Sequence, residues 1–288
     1  MFKIKNTIFK VFIELFILNK DKRAQLKAQW AKKHLQKYVD IAIKEPFKPI
    51  INEKNNIIWQ YWHQGIENAP EVIQKCLNSI KRVENDKTIN VLTFDTIKNY
   101  IELPQRYYDL VNSGKMPIAL FSDLLRVYLL EKYGGTWIDA TIYLSEKIPQ
   151  DILNSDFFAL QNPPTLKSFT GNKAVCYFLH AKAQSANIQA IKRSLDAYWA
   201  ENDFMFNYFM FEHIETILMN KTDETKAEWD KMPYYKRTDS NLNLIKYSKY
   251  DEKKLNETLY KSWYHKLTYK KFKNEVFDDV EDRIINHL

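Results

Sequence analysis

Asp139 is the residue whose place in the sequence points most directly to chemistry. It follows two glycines, Gly134 and Gly135, and the short stretch Thr-Trp-Ile at residues 136–138. In α/β proteins a carboxylate at the end of a strand lies at the edge of the sheet where ligands bind. Carboxylate oxygens suit Mg²⁺ and Mn²⁺, which often take only one or two of them alongside phosphate oxygens. Asp139 is therefore a candidate metal ligand, and the alternative is a turn residue that hydrogen-bonds its own backbone.

Asp123 and Arg126 are a second pair of residues whose side chains could take part in chemistry. They are three residues apart in an apolar segment, so on a helix they share one face. The pattern favours a local ion pair. The alternative is that both side chains hydrogen-bond sugar hydroxyls, with Arg126 as a charge-assisted donor.

The elements that must position these side chains follow from the hydrophobic pattern. The run IIWQYW at residues 57–62 predicts a buried strand, residues 72–83 have helical spacing after Pro70, and residues 90–94 predict the next strand. Strand, helix and strand in this order form a βαβ unit, which predicts a parallel α/β sheet. Pro117 then begins a helix that ends at the two glycines, because glycine readily adopts the left-handed conformation of a helix end.

Composition and charge narrow the class of protein. The chain has 288 residues, 45% of them hydrophobic and 15% aromatic, which predicts one large domain with a sizeable core. Of the net charge of +7, residues 1–56 supply a balance of +8, from 13 Lys and Arg against 5 Asp and Glu. Since the remainder is near neutral, we expect no nucleic-acid partner. Cys76 and Cys176 lie one hundred residues apart, which favours a reducing compartment and core positions.

The amino-terminal segment predicts two helices of different character. In the first, six apolar residues fall on one face: Ile4, Ile8, Val11, Phe12, Leu15 and Leu18. In the second, seven basic residues are spread along the helix: Lys20, Lys22, Arg23, Lys27, Lys32, Lys33 and Lys37. The first helix is shorter than the ~20 residues of a membrane span. Residues 1–45 therefore either lie on an anionic membrane surface or pack on the main domain, since both uses require the same periodicity.

A domain boundary is predicted where helical patterning stops. Pro46, Pro49 and the polar residues 52–56 interrupt it. We therefore expect a basic helical extension at residues 1–50 and the main domain at residues 51–288.

Three motifs together resemble a known family. They are IIWQYW at residues 57–62, S-D-x-x-R-x-x-x-L at residues 122–130 and Y-G-G-x-W-x-D at residues 133–139. The combination resembles the GT-A glycosyltransferases with a DXD sugar-binding region, and within them the bacterial capsular polysaccharide synthesis glycosyltransferases. The resemblance covers roughly residues 50–275 and implies a Rossmann-like GT-A domain, a nucleotide-diphospho-sugar donor and Mn²⁺ or Mg²⁺.

The resemblance also implies roles for individual residues. Trp59 corresponds to the aromatic residue that stacks on the nucleotide base, with Gln60 beside it as a further donor contact. Asp123 and Arg126 correspond to donor-sugar and ribose contacts, with Arg126 also counted among the catalytic residues. Asp139 corresponds to the first Asp of the DXD element, as a metal ligand and catalytic residue.

Four further positions complete the implied site. Thr141 stands where the family has its second DXD Asp, and a hydroxyl is a poorer metal ligand than a carboxylate. In the string HKLTY at residues 265–269, His265 corresponds to a late metal ligand and Lys266 to a basic contact with the diphosphate. Asn207, in DFMFNYFMFEH at residues 203–213, stands where the family has Asp and corresponds to a polar contact with the donor sugar or the acceptor.

The activity implied is that of a metal-dependent, retaining hexosyltransferase. It would transfer a sugar from a UDP-sugar to a hydroxyl of a capsular or other surface polysaccharide, or of its lipid-linked precursor. The expected location is cytoplasmic and peripheral at the inner face of the cell membrane. The alternative is a non-enzymatic membrane-surface or glycan-binding protein on a transferase-like scaffold, which the departures at Thr141 and Asn207 motivate.

Overall fold

The computed structural model describes residues 2–53, 56–163, 171–237 and 251–269, together with Arg283 and His287. Parts of the predicted main domain, including residues 270–282, lie outside the described residues. The α-helices are α1 (Phe2–Phe16), α2 (Lys20–Ala42), α3 (Glu71–Val83), α4 (Gln105–Asn112), α5 (Ile118–Tyr133), α6 (Gln150–Asn154), α7 (Ala186–Glu201), α8 (Met210–Leu218), α9 (Asp223–Lys231) and α10 (Glu252–Tyr260). The strands are β1 (Ile57–Tyr61), β2 (Thr88–Leu92), β3 (Gly135–Ile138), β4 (Ile142–Leu144), β5 (Phe157–Gln161), β6 (Ala174–Ala181) and β7 (Tyr264–Lys266).

A five-stranded mixed sheet forms the centre of the fold. Its strand order is β2-β1-β3-β6-β5, with β1 parallel to both β2 and β3. Strand β6 is antiparallel to β3 and to β5. The predicted α/β class and βαβ unit are confirmed, although the parallel part of the sheet comprises three strands. The second strand of the unit begins at Thr88, two residues before the predicted residue 90.

A second, two-stranded sheet lies beside the first. Strands β4 and β7 pair antiparallel, with Ile142 opposite Lys266 and Tyr143 opposite His265. The pairing brings the carboxyl-terminal part of the chain back to the segment that directly follows Asp139.

The junction between α5 and β3 requires both of its glycines. Gly134 has φ +65° and Gly135 has φ +97°, values that residues with a side chain rarely adopt. A Cβ on Gly134 would lie 2.7 Å from the backbone nitrogen of Ala183, and one on Gly135 would lie 2.5 Å from the carbonyl oxygen of Ile57. The two glycines therefore allow the chain to reverse and to pass close to both neighbouring strands.

Helix α2 is part of the main core. It packs against α7 and α8, and its inner face is buried. The buried residues of this face include Ala31, Leu35, Tyr38 and Val39, each at most 3% exposed. Two ion pairs connect its polar face to the main domain, Lys37 with Glu201 at 2.7 Å and Asp40 with Lys221 at 3.1 Å. For α2, packing on the main domain is therefore the alternative that the structure shows.

The inner side of helix α1 packs on the rest of the protein, whereas its outer side is exposed. On its inner side Phe9 stacks on Trp30 of α2 with ring centroids 4.2 Å apart, Ile13 is buried, and Lys10 Nζ donates to the Phe206 carbonyl at 3.0 Å. The outer side holds five of the six apolar residues predicted to share a face, and the sixth, Leu18, lies two residues beyond the end of α1. The six are 51–93% exposed: Ile4, Ile8, Val11, Phe12, Leu15 and Leu18. We call these six residues the outer apolar face. Within the described residues, no helix is long and apolar enough to cross a membrane.

The role of α2 in the core can be tested by truncating one buried side chain. Leu35→Ala should lower the free energy of unfolding by about 2–5 kcal/mol, because Leu35 is fully buried and its removal leaves a cavity. The matched control is Leu18→Ala, in which a side chain that is 93% exposed is truncated, with an expected change within about 0.5 kcal/mol. Urea unfolding followed by tryptophan fluorescence measures both. Equal effects of the two substitutions would show that α2 does not contribute to the core.

Candidate active site

Asp139 lies directly after β3, and two positively charged side chains contact its carboxylate. Its Oδ1 accepts from Trp137 Nε1 at 3.0 Å and lies 3.3 Å from Arg126 Nη2, and its Oδ2 lies 3.0 Å from Lys266 Nζ. Burial by itself would raise the pKa of Asp139, but the charges of Lys266 and Arg126 outweigh burial and lower it below its ordinary value. The carboxylate is therefore ionised at neutral pH, and its side chain remains 26% exposed.

Arg126 anchors the inner side of the site. Its guanidinium is 4% exposed and pairs with Asp123 Oδ1 at 2.9 Å. It also donates to the Cys176 carbonyl and lies over the Trp137 ring, 5.1 Å from the centroid. The ion pair expected from the i, i+3 spacing is confirmed. Contact of Asp123 or Arg126 with a donor sugar or ribose stays a prediction.

Lys266 reaches Asp139 from the other end of the chain. Strand β7 places it beside β4, and the Leu267 amide donates to the Thr141 carbonyl at 2.8 Å. Its ammonium donates to Asp139 Oδ2 at 3.0 Å and to Thr141 Oγ1 at 2.5 Å, and it lies 4.7 Å from the centre of the Tyr177 ring. The structure thus brings together Asp139, Thr141 and Lys266, three of the predicted site residues. The side chain of Lys266 as a whole is 23% exposed.

His265 does not join Asp139. Consecutive residues of a strand point to opposite faces, and Lys266 takes the face toward Asp139. The His265 ring is 1% exposed, and its Nε2 lies 3.3 Å from both Ser145 Oγ and the Leu259 carbonyl. Burial lowers the pKa of His265 to about 4, so the ring is neutral at pH 7. The predicted placement of His265 beside Asp139 as a metal ligand is therefore wrong for this arrangement.

As they lie, the residues do not fit a divalent cation. Within the described parts of the chain, no group of three or more His, Cys, Asp or Glu side chains could hold a metal ion. Both carboxylate oxygens of Asp139 already accept hydrogen bonds from Arg126, Trp137 or Lys266. Two residues later, where the family has its second Asp, this chain has the neutral Thr141. A requirement for Mn²⁺ or Mg²⁺ stays a prediction of the sequence resemblance.

Trp59 and Gln60 are both buried. Trp59 is 2% exposed, donates from Nε1 to the Gly134 carbonyl at 2.9 Å and packs against Tyr100 and Tyr133. Its ring therefore supports the turn before β3, and in this conformation it presents no face on which a nucleotide base could stack. Gln60 is fully buried, and its amide atoms have no hydrogen-bond partner among the described residues. Its contact with a donor stays a prediction.

The segment that contains Asn207 contributes different residues from the expected one. Asn207 Oδ1 accepts from the Phe209 amide at 2.8 Å, so Asn207 organises the turn before α8. Tyr208 and Glu212 are the residues of this segment that approach the site. Partial desolvation, followed by the negative charges of Asp123 and other site residues, raises the pKa of Tyr208 to about 12, although the residue as a whole is 58% exposed. A Tyr and a Glu four residues apart in an otherwise apolar run were the sequence signal for this pair.

Three carboxyl groups lie buried beneath Arg126. Glu212 Oε1 accepts from Cys176 Sγ at 3.3 Å, and Cys176 Sγ also lies 3.8 Å from Asp123 Oδ1. Burial raises the pKa of Asp123 to about 7 and also raises that of Glu212. Glu215 is 1% exposed, neither of its oxygens has a hydrogen-bond partner among the described residues, and burial raises its pKa well above the ordinary value. Burial thus shifts all three carboxyl groups toward their protonated form.

The buried proton on Glu215 predicts a pH dependence of stability. The folded state keeps a proton that the unfolded state releases above the ordinary glutamate pKa of about 4.3, so the contribution of Glu215 to stability falls as pH rises beyond that value. The loss is about 1.4 kcal/mol for each pH unit between the two pKa values. Glu215→Gln imitates the protonated form and should reduce the fall in unfolding free energy between pH 5 and pH 8. Urea titrations at the two pH values measure this fall.

The control for this prediction is Glu102→Gln, which neutralises an exposed carboxylate. It should leave the pH dependence unchanged. If the Glu215→Gln variant and the wild type lose the same free energy between pH 5 and pH 8, Glu215 is ionised in the folded protein and the prediction is wrong.

Segments of this chain are similar to fungal glycosyltransferases. A stretch of 105 residues is 30% identical to O-glycosyltransferase braB of Annulohypoxylon truncatum, covering 33% of this chain and 24% of the relative. The match to glycosyltransferase afumC of Aspergillus fumigatus is 26% identical and covers 41% of this chain and 32% of the relative. O-glycosyltransferase PaGT of Phomopsis amygdali is 32% identical over 114 residues, which are 36% of this chain and 27% of the relative. The matches thus span between a quarter and a third of the length of these curated relatives.

A solved structure and a family model complete the comparison. The PaToxG glycosyltransferase aligns with a TM-score of 0.39 and 15% identity, over 84% of this chain and 86% of that one. The model of the capsular polysaccharide synthesis protein family matches residues 13–288, which include the whole cluster around Asp139. The resemblance seen in the sequence motifs is confirmed at this level: the chain belongs to the capsular polysaccharide synthesis protein family.

Proposed function

We propose that this protein is a glycosyltransferase. It transfers a sugar, in our proposal a hexose from a UDP-sugar, to a hydroxyl of a capsular or other surface polysaccharide or of its lipid-linked precursor. The observation that carries the proposal is the cluster of Asp139, Arg126 and Lys266 at the end of β3, inside the region matched by the family model. The names of the fungal relatives support the same reaction class.

The charge on the exposed side of the cluster suits a nucleoside diphosphate. Lys266 carries a compact ammonium on a side chain that is 23% exposed, and it is held beside Asp139 and Thr141. The diphosphate gains negative charge as the bond to the sugar breaks, and a positioned cation stabilises that charge most in the transition state. Arg126 is 4% exposed and acts from behind, by fixing the position of Asp139. Arg126 is a positioning residue in this proposal.

In the proposed reaction the bond between the anomeric carbon and the diphosphate oxygen breaks, and a bond to the acceptor oxygen forms. The proton of the acceptor hydroxyl passes to the leaving diphosphate, so charges and atoms balance without a protein nucleophile. We propose retention of anomeric configuration and a GT-A type of fold, both suggested by the sequence motifs. Catalysis then depends mainly on positioning and on charge stabilisation.

Asp139→Asn is the most direct test of the proposed site. The substitution keeps the size of the side chain and removes the charge that holds Lys266 and Arg126. The kcat/KM for UDP-sugar hydrolysis or transfer should fall by about 100-fold or more. A panel of UDP-sugars, assayed by UDP release in the presence and absence of Mn²⁺, provides the measurement and identifies the donor.

Asp230→Asn is the matched control, because Asp230 is an exposed carboxylate on α9 that pairs with Lys226. It should have the activity of the wild type. An Asp139→Asn variant as active as this control would remove Asp139 from the mechanism. A wild type that binds UDP and glycans but releases no UDP from any donor would favour the alternative, a glycan-binding protein on this scaffold.

We further propose that the protein binds the inner face of the cell membrane from the cytoplasm, through the outer apolar face of α1. The exposed Lys20 and Lys22, at the start of α2, follow this face in the sequence. Apolar side chains beside lysines suit an anionic lipid surface, where each basic residue contributes about 1 kcal/mol. Membrane contact would place the enzyme next to a lipid-linked acceptor.

A double substitution on the outer apolar face tests the membrane contact. Phe12→Glu with Leu15→Glu should weaken binding to vesicles of anionic phospholipid at least tenfold, because two apolar side chains are replaced by charges of the same sign as the lipid. Co-sedimentation of the full chain with the vesicles measures binding, and the melting temperature should stay unchanged since both side chains are exposed. The control is Tyr260→Glu, which changes an 82% exposed aromatic residue of α10. Undiminished vesicle binding by the double variant would refute the contact.

A further inference from the structure

The ammonium of Lys266 contacts both Asp139 and Thr141. Its ammonium lies 3.0 Å from Oδ2 of Asp139 and 2.5 Å from Oγ1 of Thr141. These are the side chains two residues apart that correspond to the two acidic positions of a DXD element. The ammonium therefore lies between the two groups that would face a divalent cation in such an element.

A divalent cation and this ammonium cannot share that position. Mg²⁺ binds carboxylate oxygens at about 2.0–2.1 Å. A metal at that distance from Oδ2 would meet the ammonium at close range, and the two positive charges would repel each other. Because the second motif position is the neutral Thr141, Asp139 provides the only carboxylate of the motif, and Arg126 already contributes a further positive charge to it. Asp123 pairs with Arg126 at 2.9 Å, so one further monovalent cation, Lys266, is enough to balance the charge of Asp139.

The fold also holds Lys266 in place. Strand β7 is paired with β4 on both sides of it, with Tyr143 opposite His265 and the Leu267 amide bonded to the Thr141 carbonyl. The Tyr177 ring faces the ammonium at 4.7 Å. A cation fixed by backbone pairing is present before the ligand arrives, as preorganised charge stabilisation requires.

We infer that Lys266 is the built-in cation of this site and holds the donor diphosphate in place of a divalent metal. The inference rests on the proposed function in that the donor carries a diphosphate. Lys266 remains protonated throughout and donates hydrogen bonds to phosphate oxygens while it keeps its contact with Asp139. Binding of UDP should then be independent of added metal.

UDP binding by the full chain, measured by calorimetry in EDTA and again in Mn²⁺, tests the inference. The wild type should bind UDP with dissociation constants that agree within threefold under the two conditions. Lys266→Met should weaken binding at least tenfold in EDTA, with at least fivefold recovery in Mn²⁺, because the metal can now reach Asp139. The recovery should be lost when Asp139→Asn is added to Lys266→Met.

Two further variants separate charge from structure. Lys266→Arg keeps the positive charge and should bind UDP in EDTA within about threefold of the wild type, whereas Lys253→Met removes an exposed lysine of α10 and should change nothing. Melting temperatures show whether each variant is folded. If Lys266→Met does not fold, the wild type in EDTA and the Lys266→Arg variant still decide the question.

The outcomes distinguish the inference from the proposed function. A wild type that binds UDP in Mn²⁺ but at least tenfold more weakly in EDTA overturns the inference and leaves the proposed function intact. A Lys266→Met variant that binds UDP as well as the wild type in EDTA also overturns it. If UDP binds under neither condition, the nucleotide donor of the proposed function is wrong, and the inference fails with it.

Discussion

The convergence of two cations on the carboxylate of Asp139 is the interaction on which the site depends. Arg126 comes from α5 and Lys266 from β7, so one carboxylate joins the central sheet, its covering helix and the carboxyl-terminal part of the chain. Removing charges from water is costly unless they are paired and hydrogen-bonded, and a buried charge that loses its partner is strongly destabilising. The pairing therefore accounts for a cluster of charges that is only partly exposed.

The position of Asp139 in turn depends on the junction at Gly134 and Gly135. Both glycines have positive φ, and a side chain on either would collide with the backbone of a neighbouring strand. Trp59 secures the same junction by donating to the Gly134 carbonyl. A backbone constraint and a buried indole thus determine where β3 ends, and with it where the carboxylate meets its two cations. Residues far from any ligand in this way determine the geometry of the charged cluster.

Much of this arrangement could be predicted from the sequence because it is local. Hydrophobic periodicity and the double glycine identify α5, β3 and Asp139, and the i, i+3 spacing identifies the ion pair of Asp123 with Arg126. Non-local features could not be derived in this way. The register of β7 against β4 decides that Lys266, and not His265, faces Asp139, and no local pattern encodes that register.

The other differences have equally physical causes. The ring of Trp59 packs on Tyr100 and on Tyr133 at the end of α5, so a residue expected at a ligand serves the core instead. Asn207 Oδ1 accepts a hydrogen bond from the backbone amide two residues later. Asn side chains often bind nearby backbone amides in turns, and this contact takes the place of the expected one with a ligand. Glu212 stands in an apolar stretch of the sequence, and its place in the site depends on Cys176 and Arg126, which are distant in the sequence.

The basic amino-terminal segment shows why periodicity alone leaves two alternatives open. Both helices have an apolar face, but α2 buries its own against α7 and α8, whereas α1 uses Phe9 and Ile13 for packing and leaves the outer apolar face in contact with solvent. Part of the basic charge is also used internally. Arg23 and Lys27 pair with Glu14, and this pairing joins the two helices to each other. The exposed Lys20 and Lys22 follow directly after Leu18, so charge and apolar surface adjoin at the same end of the molecule. The proposed lipid contact would involve only this surface and not the cluster around Asp139, so substitutions can test the two halves of the proposed function separately.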